Sequence, residues 1–270
     1  MKPSDLIEAV TARLRDAHPP VRALLLVGSF GRGTADRFSD VDLLAAVERD
    51  QHERFTASWR AVLEAIAPVV FWNQRASGDG VLINAVSEAW LRCDLAVVTP
   101  DAFAARTRDA VTVLFDRDGL SERMPLHRSP ARPRPARLFH LVQEFIRVLG
   151  LLPVVAGRGE WVTGAGSGIG HLREHLTSLL IEEQGIADPG GALHLSRVLT
   201  PERYEVLQRL PFPQPERSEV IAAHAAYARA FMPRARKLAA AQGVLWPEAF
   251  EAATLRHLRD ELGPEVDWSG

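Results

Sequence analysis

The sequence predicts an α/β (α+β) fold, a small mixed sheet of about five strands flanked by helices and followed by a helical bundle. Three observations carry this expectation. In the first half of the chain, short apolar runs alternate with segments of helical period. Beyond a stretch rich in proline and arginine, the pattern is mostly helical. The 270 residues are 47% hydrophobic and 24% charged, a balance that allows a sizeable buried core.

Taken in order, Pro3-Ser4-Asp5 can cap a helix on which Leu6, Val10 and Leu14 recur at helical spacing, and Pro19-Pro20 ends it. Arg22–Val27 is a nearly continuous apolar run, the mark of a buried strand. Gly28–Ser39 is polar and glycine-bearing, Asp40–Val47 is a second strand, and Gln51–Ile66 is helical. Pro68–Trp72, Val81–Val86 and Leu91–Val98 read as three more strands, with Gly78-Asp79-Gly80 as the turn between the first two. Val111–Phe115 is expected as an edge strand ahead of the turn-rich Asp116-Arg117-Asp118-Gly119. Pro125, Pro130, Pro133 and Pro135 lie among Arg128, Arg132 and Arg134. Repeated proline favours a stiff, extended connection, so the boundary is placed there, between a domain at 1–124 and one at 136–270. Further helices are expected over Leu138–Leu152, Ile169–Glu183, Pro201–Leu210, Glu216–Gln242 and Trp246–Leu262.

The formal net charge is -2. Proteins that live on long nucleic acids carry a basic stripe that neutralises phosphate, so this balance weighs against such a partner and fits a pocket for a small, even cationic, molecule. Cys93 is the only cysteine, which excludes an intramolecular disulfide and suits a reducing compartment. Met1–Arg15 lacks the apolar core of a signal peptide, and no apolar stretch is expected to reach the roughly 18–20 residues that cross a bilayer. The expectation is a soluble cytoplasmic protein with no membrane association, monomeric or homodimeric.

The informative segment is Leu25-Leu26-Val27-Gly28-Ser29-Phe30-Gly31-Arg32-Gly33, followed by Ser39-Asp40-Val41-Asp42-Leu43-Leu44. Glycine lets the backbone approach a ligand closely, and free amides at a helix start attract phosphate. Ser29 adds a hydroxyl, and Arg32, with Arg37 behind it, offers positive charge to a polyphosphate. Asp40 and Asp42, two apart on a strand, point to one face. Paired carboxylates repel unless a cation sits between them, and hard oxygen ligands favour magnesium. Asp94 lies in a second apolar run, Leu91–Val98. If that strand neighbours the first, three aspartates converge and can hold two metal ions about 4 Å apart.

Gly28-Ser29, a spacer, Asp40-Val41-Asp42 and Asp94 on a later strand resemble the signature of the DNA polymerase beta-like nucleotidyltransferase superfamily. The resemblance covers roughly the first hundred residues. The two-part architecture, with a loose similarity around Arg158-Gly159-Glu160-Trp161, is similar to the aminoglycoside and lincosamide nucleotidyltransferases. The resemblance implies a catalytic domain at 1–124 and a helical substrate-binding domain at 136–270, with the active site in the cleft between them. Gly28 and Ser29 would bind the triphosphate, with Arg32 and Arg37 as further nucleotide contacts. Asp40 and Asp42 would ligate both magnesium ions, and Asp94 would complete the site that activates the nucleophile. A further carboxylate would serve as base, Glu160 first and Glu144 second. The implied reaction moves AMP from ATP to a hydroxyl of a small molecule, such as an aminoglycoside-like antibiotic.

Two rival readings are a nucleotide-binding regulator or toxin-antitoxin partner without turnover, and an enzyme that nucleotidylates protein or RNA. Gly164-Ala165-Gly166-Ser167-Gly168-Ile169-Gly170 lacks the βαβ context of a dinucleotide fingerprint and reads as an interhelical turn or close-packing site. His140 and His171 read as helix-surface residues, and Trp161 as packing or an acceptor-stacking ring.

Overall fold

The computed structural model describes residues 1–17, 20–78, 80–127, 134–186 and 192–263. Pro19, Asp79, Trp268 and the centre of the proline-rich connection, 128–133, lie outside these residues. The chain divides into two compact units, Met1–Ser129 and Pro130–Gly270.

The first unit runs α1 (Pro3–Ala17), β1 (Val21–Leu26), α2 (Gly28–Gly31), β2 (Val41–Val47), α3 (His52–Glu64), β3 (Val69–Ser77), β4 (Gly80–Ser87), β5 (Arg92–Val98), α4 (Pro100–Ala104) and β6 (Thr112–Asp116). Among the described residues the strands form one six-stranded sheet in the order β3-β4-β5-β2-β1-β6, so all six segments read as strands join it, against an overall expectation of about five. The Thr112–Asp116 strand does lie at an edge, as expected. β2 and β5 are parallel, and the other neighbours are antiparallel.

Alternation along the strands sorts side chains onto two faces. Val41, Leu43, Ala45, Leu95 and Val97 join Leu6, Val10 and Leu14 of α1 and Phe55 and Trp59 of α3 in the larger core. Trp59 is 0% exposed and is among the largest fully buried side chains. On the other face, Ala23, Leu25, Leu44 and Ala46 pack with Phe103, Leu120 and Met124. The β3 strand extends to Ser77, well past Trp72. It is an edge strand whose outer residues are mostly exposed, so backbone pairing with β4 builds it and leaves no apolar rhythm to read.

The second unit is helical: α5 (Pro135–Leu149), α6 (Leu152–Arg158), α7 (Trp161–Thr163), a π-helical turn Gly164–Gly168, α8 (Ile169–Gln184), α9 (Leu195–Val198), α10 (Pro201–Arg209), α11 (Arg217–Gln242) and α12 (Glu248–Leu262). Phe145 and Phe231 stack with ring centroids 3.7 Å apart at its centre. The glycine-rich segment expected as a turn or packing site is the π-helical turn, run into α8 without a break. A Cβ on Gly164 would crowd Val155 and Val220, and one on Gly168 would lie 3.3 Å from Nε2 of buried His224. Close packing therefore explains these glycines. His224, its Nδ1 on the Val220 carbonyl, has its pKa pushed down to about 4 by burial.

One expectation is corrected. Pro135–Arg158 is long and apolar enough to cross a membrane by length and composition. Half of the qualifying window is buried, and Leu138, Leu141, Val142, Phe145 and Ile146 belong to the second unit's core. The apolarity of this stretch therefore has an internal use. The sequence reading missed it because Arg137, Glu144 and Arg147 interrupt the run on the face that the core leaves free.

Candidate active site

The site lies on the sheet face that carries Leu44, at the ends where β2 and β5 begin. Parallel pairing sets Asp42 opposite Asp94. Asp40 stands one residue before β2, a small departure from the expected strand start. Carboxylate oxygens of Asp40, Asp42 and Asp94 all lie within 4.8 Å of one another, and the three side chains are half-buried. The trio thus comes together from two strands that are far apart in sequence.

The turn after β1 reaches the same place. The Val27 amide bonds the Asp42 carbonyl at 2.9 Å, which extends the β1–β2 ladder up to the corner. Gly28 then takes φ +60°, and a Cβ there would fall far inside van der Waals contact with Asp42 Oδ2 and 2.8 Å from its Cγ. The glycine-serine corner and the second aspartate are therefore packed backbone against carboxylate. Ser29 is 5% exposed, and its Oγ has no hydrogen-bond partner among the described residues. A buried hydroxyl is seldom left unpaired, so this one is able to bond water or a bound ligand. The Ser29 carbonyl receives the Thr34 amide at 2.9 Å, folding the following loop back. That loop is pinned by Asp36, whose Oδ1 accepts from the Phe38 amide at 2.9 Å and from Ser39 Oγ at 3.2 Å.

The electrostatics are those of crowded like charges. Asp42 has its pKa raised to about 6, chiefly by burial and then by Asp40 and Asp94; Arg32 and Arg92 oppose the rise. Asp94 is also pushed up, first by burial, with a hydrogen bond from Asn84 pulling the other way. A divalent cation removes this penalty, and an all-carboxylate donor set suits magnesium. Asp40, Asp42 and Asp94 could hold such an ion. Cys93, next in sequence, points into the opposite core, where burial and the nearby aspartates raise its thiol pKa and leave it unreactive.

Of the two candidate arginines, Arg32 caps the end of α2 and is close enough to Asp42 to stabilise its charge. Arg37 instead lies over the Phe38 ring, 4.3 Å from its centroid. Three residues were not singled out from sequence. Arg92 pairs with Asp40 at 3.6 Å and donates to the Phe38 carbonyl at 2.7 Å. Asn84 stands opposite Asp94 in the strand register, and Arg75 donates to Asn84 Oδ1 at 3.1 Å. One signal was available, since Asn84 is the single strongly polar residue in Gly80–Val86.

The two carboxylates proposed as bases belong to the second unit. Glu144 is held by Arg147 through a bidentate pair of 2.7–3.1 Å, which keeps its pKa below the usual glutamate value. Glu160 is exposed, precedes α7 and accepts from Thr163 Oγ1 at 3.4 Å. Trp161 packs against the second unit's core, while His140 and His171 are exposed on their helices.

The packing of Gly28 yields a prediction. Gly28→Ala must both hold alanine in the left-handed region and displace the Asp42 carboxylate. We expect a loss of about 1–3 kcal/mol in chemical denaturation, with activity falling in step.

Residues 7–72 match the family model described as a nucleotidyltransferase domain. Among solved structures, the chain is similar to an aminoglycoside 6-adenyltransferase from Bacillus subtilis at 15% identity and TM-score 0.43, covering 95% of this chain and 98% of that one. It is also similar to a nucleotidyltransferase-like protein from Exiguobacterium sibiricum at 16% identity and TM-score 0.39, covering 97% and 90%. A third, terminal uridylyl transferase 4 from Trypanosoma brucei, aligns at 13% identity and TM-score 0.30, covering 83% and 67%. No curated protein sequence matches the chain. The matched residues include the glycine-serine corner and the Asp40–Asp42 pair, and the chain therefore carries a nucleotidyltransferase domain and is a transferase of that class.

Proposed function

We propose that this enzyme transfers a nucleoside monophosphate, AMP from ATP in the first instance, to a hydroxyl of a small molecule, with release of pyrophosphate. The observation that carries the reading is the convergence of three carboxylates within 4.8 Å beside the corner that holds Ser29. The acceptor oxygen attacks the α-phosphorus in line; the new P–O bond forms as the bond to the β-phosphate oxygen breaks, and the acceptor proton passes to Glu160. Gly28 and Ser29 bind the triphosphate, Ser29 through its unpaired hydroxyl. Arg32, beside Asp42, offsets charge on the departing pyrophosphate. Asp40, Asp42 and Asp94 would hold magnesium, which when bound orients the reacting oxygens and neutralises phosphate charge. The near-neutral surface, at net charge -2, supports a small and aminoglycoside-like cationic acceptor over a nucleic acid. We place the reaction in the cytoplasm.

The test is pyrophosphate release from ATP with magnesium and a panel of hydroxylated acceptors that includes aminoglycosides. Release that requires both magnesium and an acceptor is expected. Acceptor-independent turnover, or none with any acceptor, would count against the reading.

A further inference from the structure

The three middle strands carry a polar row in direct register. Asn84 on β4 stands opposite Asp94 on β5, and Asp94 stands opposite Asp42 on β2. Asparagine is disfavoured in a strand, and here it sits half-buried between the apolar Ile83 and Ala85. Its carboxamide has two different ends, an acceptor oxygen and a donor nitrogen. Arg75, from the edge strand β3, donates through Nη1 to Asn84 Oδ1 at 3.1 Å. The oxygen being taken, the amide nitrogen is the end left for Asp94, which stands opposite it in the register. The reverse orientation would set an oxygen against a carboxylate and turn the amino group on a guanidinium.

We propose that Asn84, oriented by Arg75, is a positioning residue that fixes the Asp94 carboxylate for metal binding. The inference rests on the nucleotidyltransferase reading above and extends it from the aspartates to the residues behind them. Donation from the Asn84 amide to one lone pair of Asp94 would restrict rotation of the carboxylate and keep its remaining lone pairs for the ion shared with Asp40 and Asp42. Arg75 adds positive charge within electrostatic reach of Asp94. Partners that orient a metal ligand from behind are worth about 10- to 100-fold in metal affinity or activity.

The test compares Asn84→Leu, Asn84→Ala and Asp42→Asn with the unmodified full chain. Binding of Mn2+ is followed by the loss of its free-ion paramagnetic resonance signal, with and without a non-hydrolysable ATP analogue. The magnesium dependence of pyrophosphate release is measured alongside. Asn84→Leu removes the amide donor while keeping the bulk and adding no charge. Asn84→Ala removes the donor without apolar bulk, and it stands in if Asn84→Leu fails to fold.

Both Asn84 variants are expected to bind Mn2+ about 10- to 100-fold more weakly and to need correspondingly more magnesium, with the KM for ATP little changed. Mn2+ binding within about threefold of the unmodified protein in a folded Asn84→Leu or Asn84→Ala, while Asp42→Asn loses it, would overturn the positioning role and leave the metal reading standing. If Asp42→Asn also binds Mn2+ normally, the metal reading falls and the positioning role falls with it.

Discussion

Asp42→Asn is expected to abolish transfer while leaving the protein folded. The substitution is close to isosteric, and the group removed is one that the metal-free protein holds at a cost. Burial first, then Asp40 and Asp94, raise the Asp42 pKa to about 6. Replacing the carboxylate by an amide relieves that repulsion, so the metal-free Tm should not drop. Two dependent properties should disappear together. Magnesium should raise the Tm of the unmodified protein by mass action on the folded state and should do so far less for the variant. Pyrophosphate release should fall by about 1000-fold or more, which is on the order of 4 kcal/mol in the barrier. Partners behind a metal ligand are already worth about 10- to 100-fold, and a ligand itself should exceed them. Near-normal turnover in a folded Asp42→Asn would exclude the proposed chemistry.

The second large effect is expected at Glu160. If it takes the acceptor proton, Glu160→Gln should slow the chemical step by roughly 100- to 10,000-fold. The KM values should change little, because glutamine retains the size and the hydrogen-bonding oxygen. Glu144→Gln is the control. The Arg147 fork engages both carboxylate oxygens of Glu144, so its loss should cost much less in rate. Rapid-quench measurement of a single turnover separates chemistry from product release in both variants. Equal, small effects would remove both from the role of base. A large effect at Glu144 alone would reverse their order.

Much of this could be read before any coordinates. The nearly continuous apolar runs in Val41–Val47 and Arg92–Val98, each broken by an aspartate, announce buried strands. Strand alternation separates Asp94 from Cys93 and sets Asp40 and Asp42 on one face. Gly28 and Ser29 announce a corner where the chain leaves the sheet. The interior of the second unit was also legible, because α8 and α11 keep helical spacing, even across Pro233. The later half of β3 was not, since an edge strand is built by backbone pairing and tolerates Asn73, Gln74 and Arg75 on its surface. The apolar length of Pro135–Arg158 was missed for a related reason, since scattered charges hide how much of the run is aliphatic.

The sequence by itself determined the kinds of groups available, namely a glycine-serine corner, two carboxylates at strand spacing and a third on a later strand. Only the tertiary structure decided which of these meet. Strand register is a pairing between distant segments, set by whole faces packing against α1 and α3 and by no local preference. That register puts Asp94 beside Asp42 and Asn84 beside Asp94, and brings Arg75 onto Asn84. Local chemistry names the donors, and long-range pairing in a packed sheet gives them a common centre.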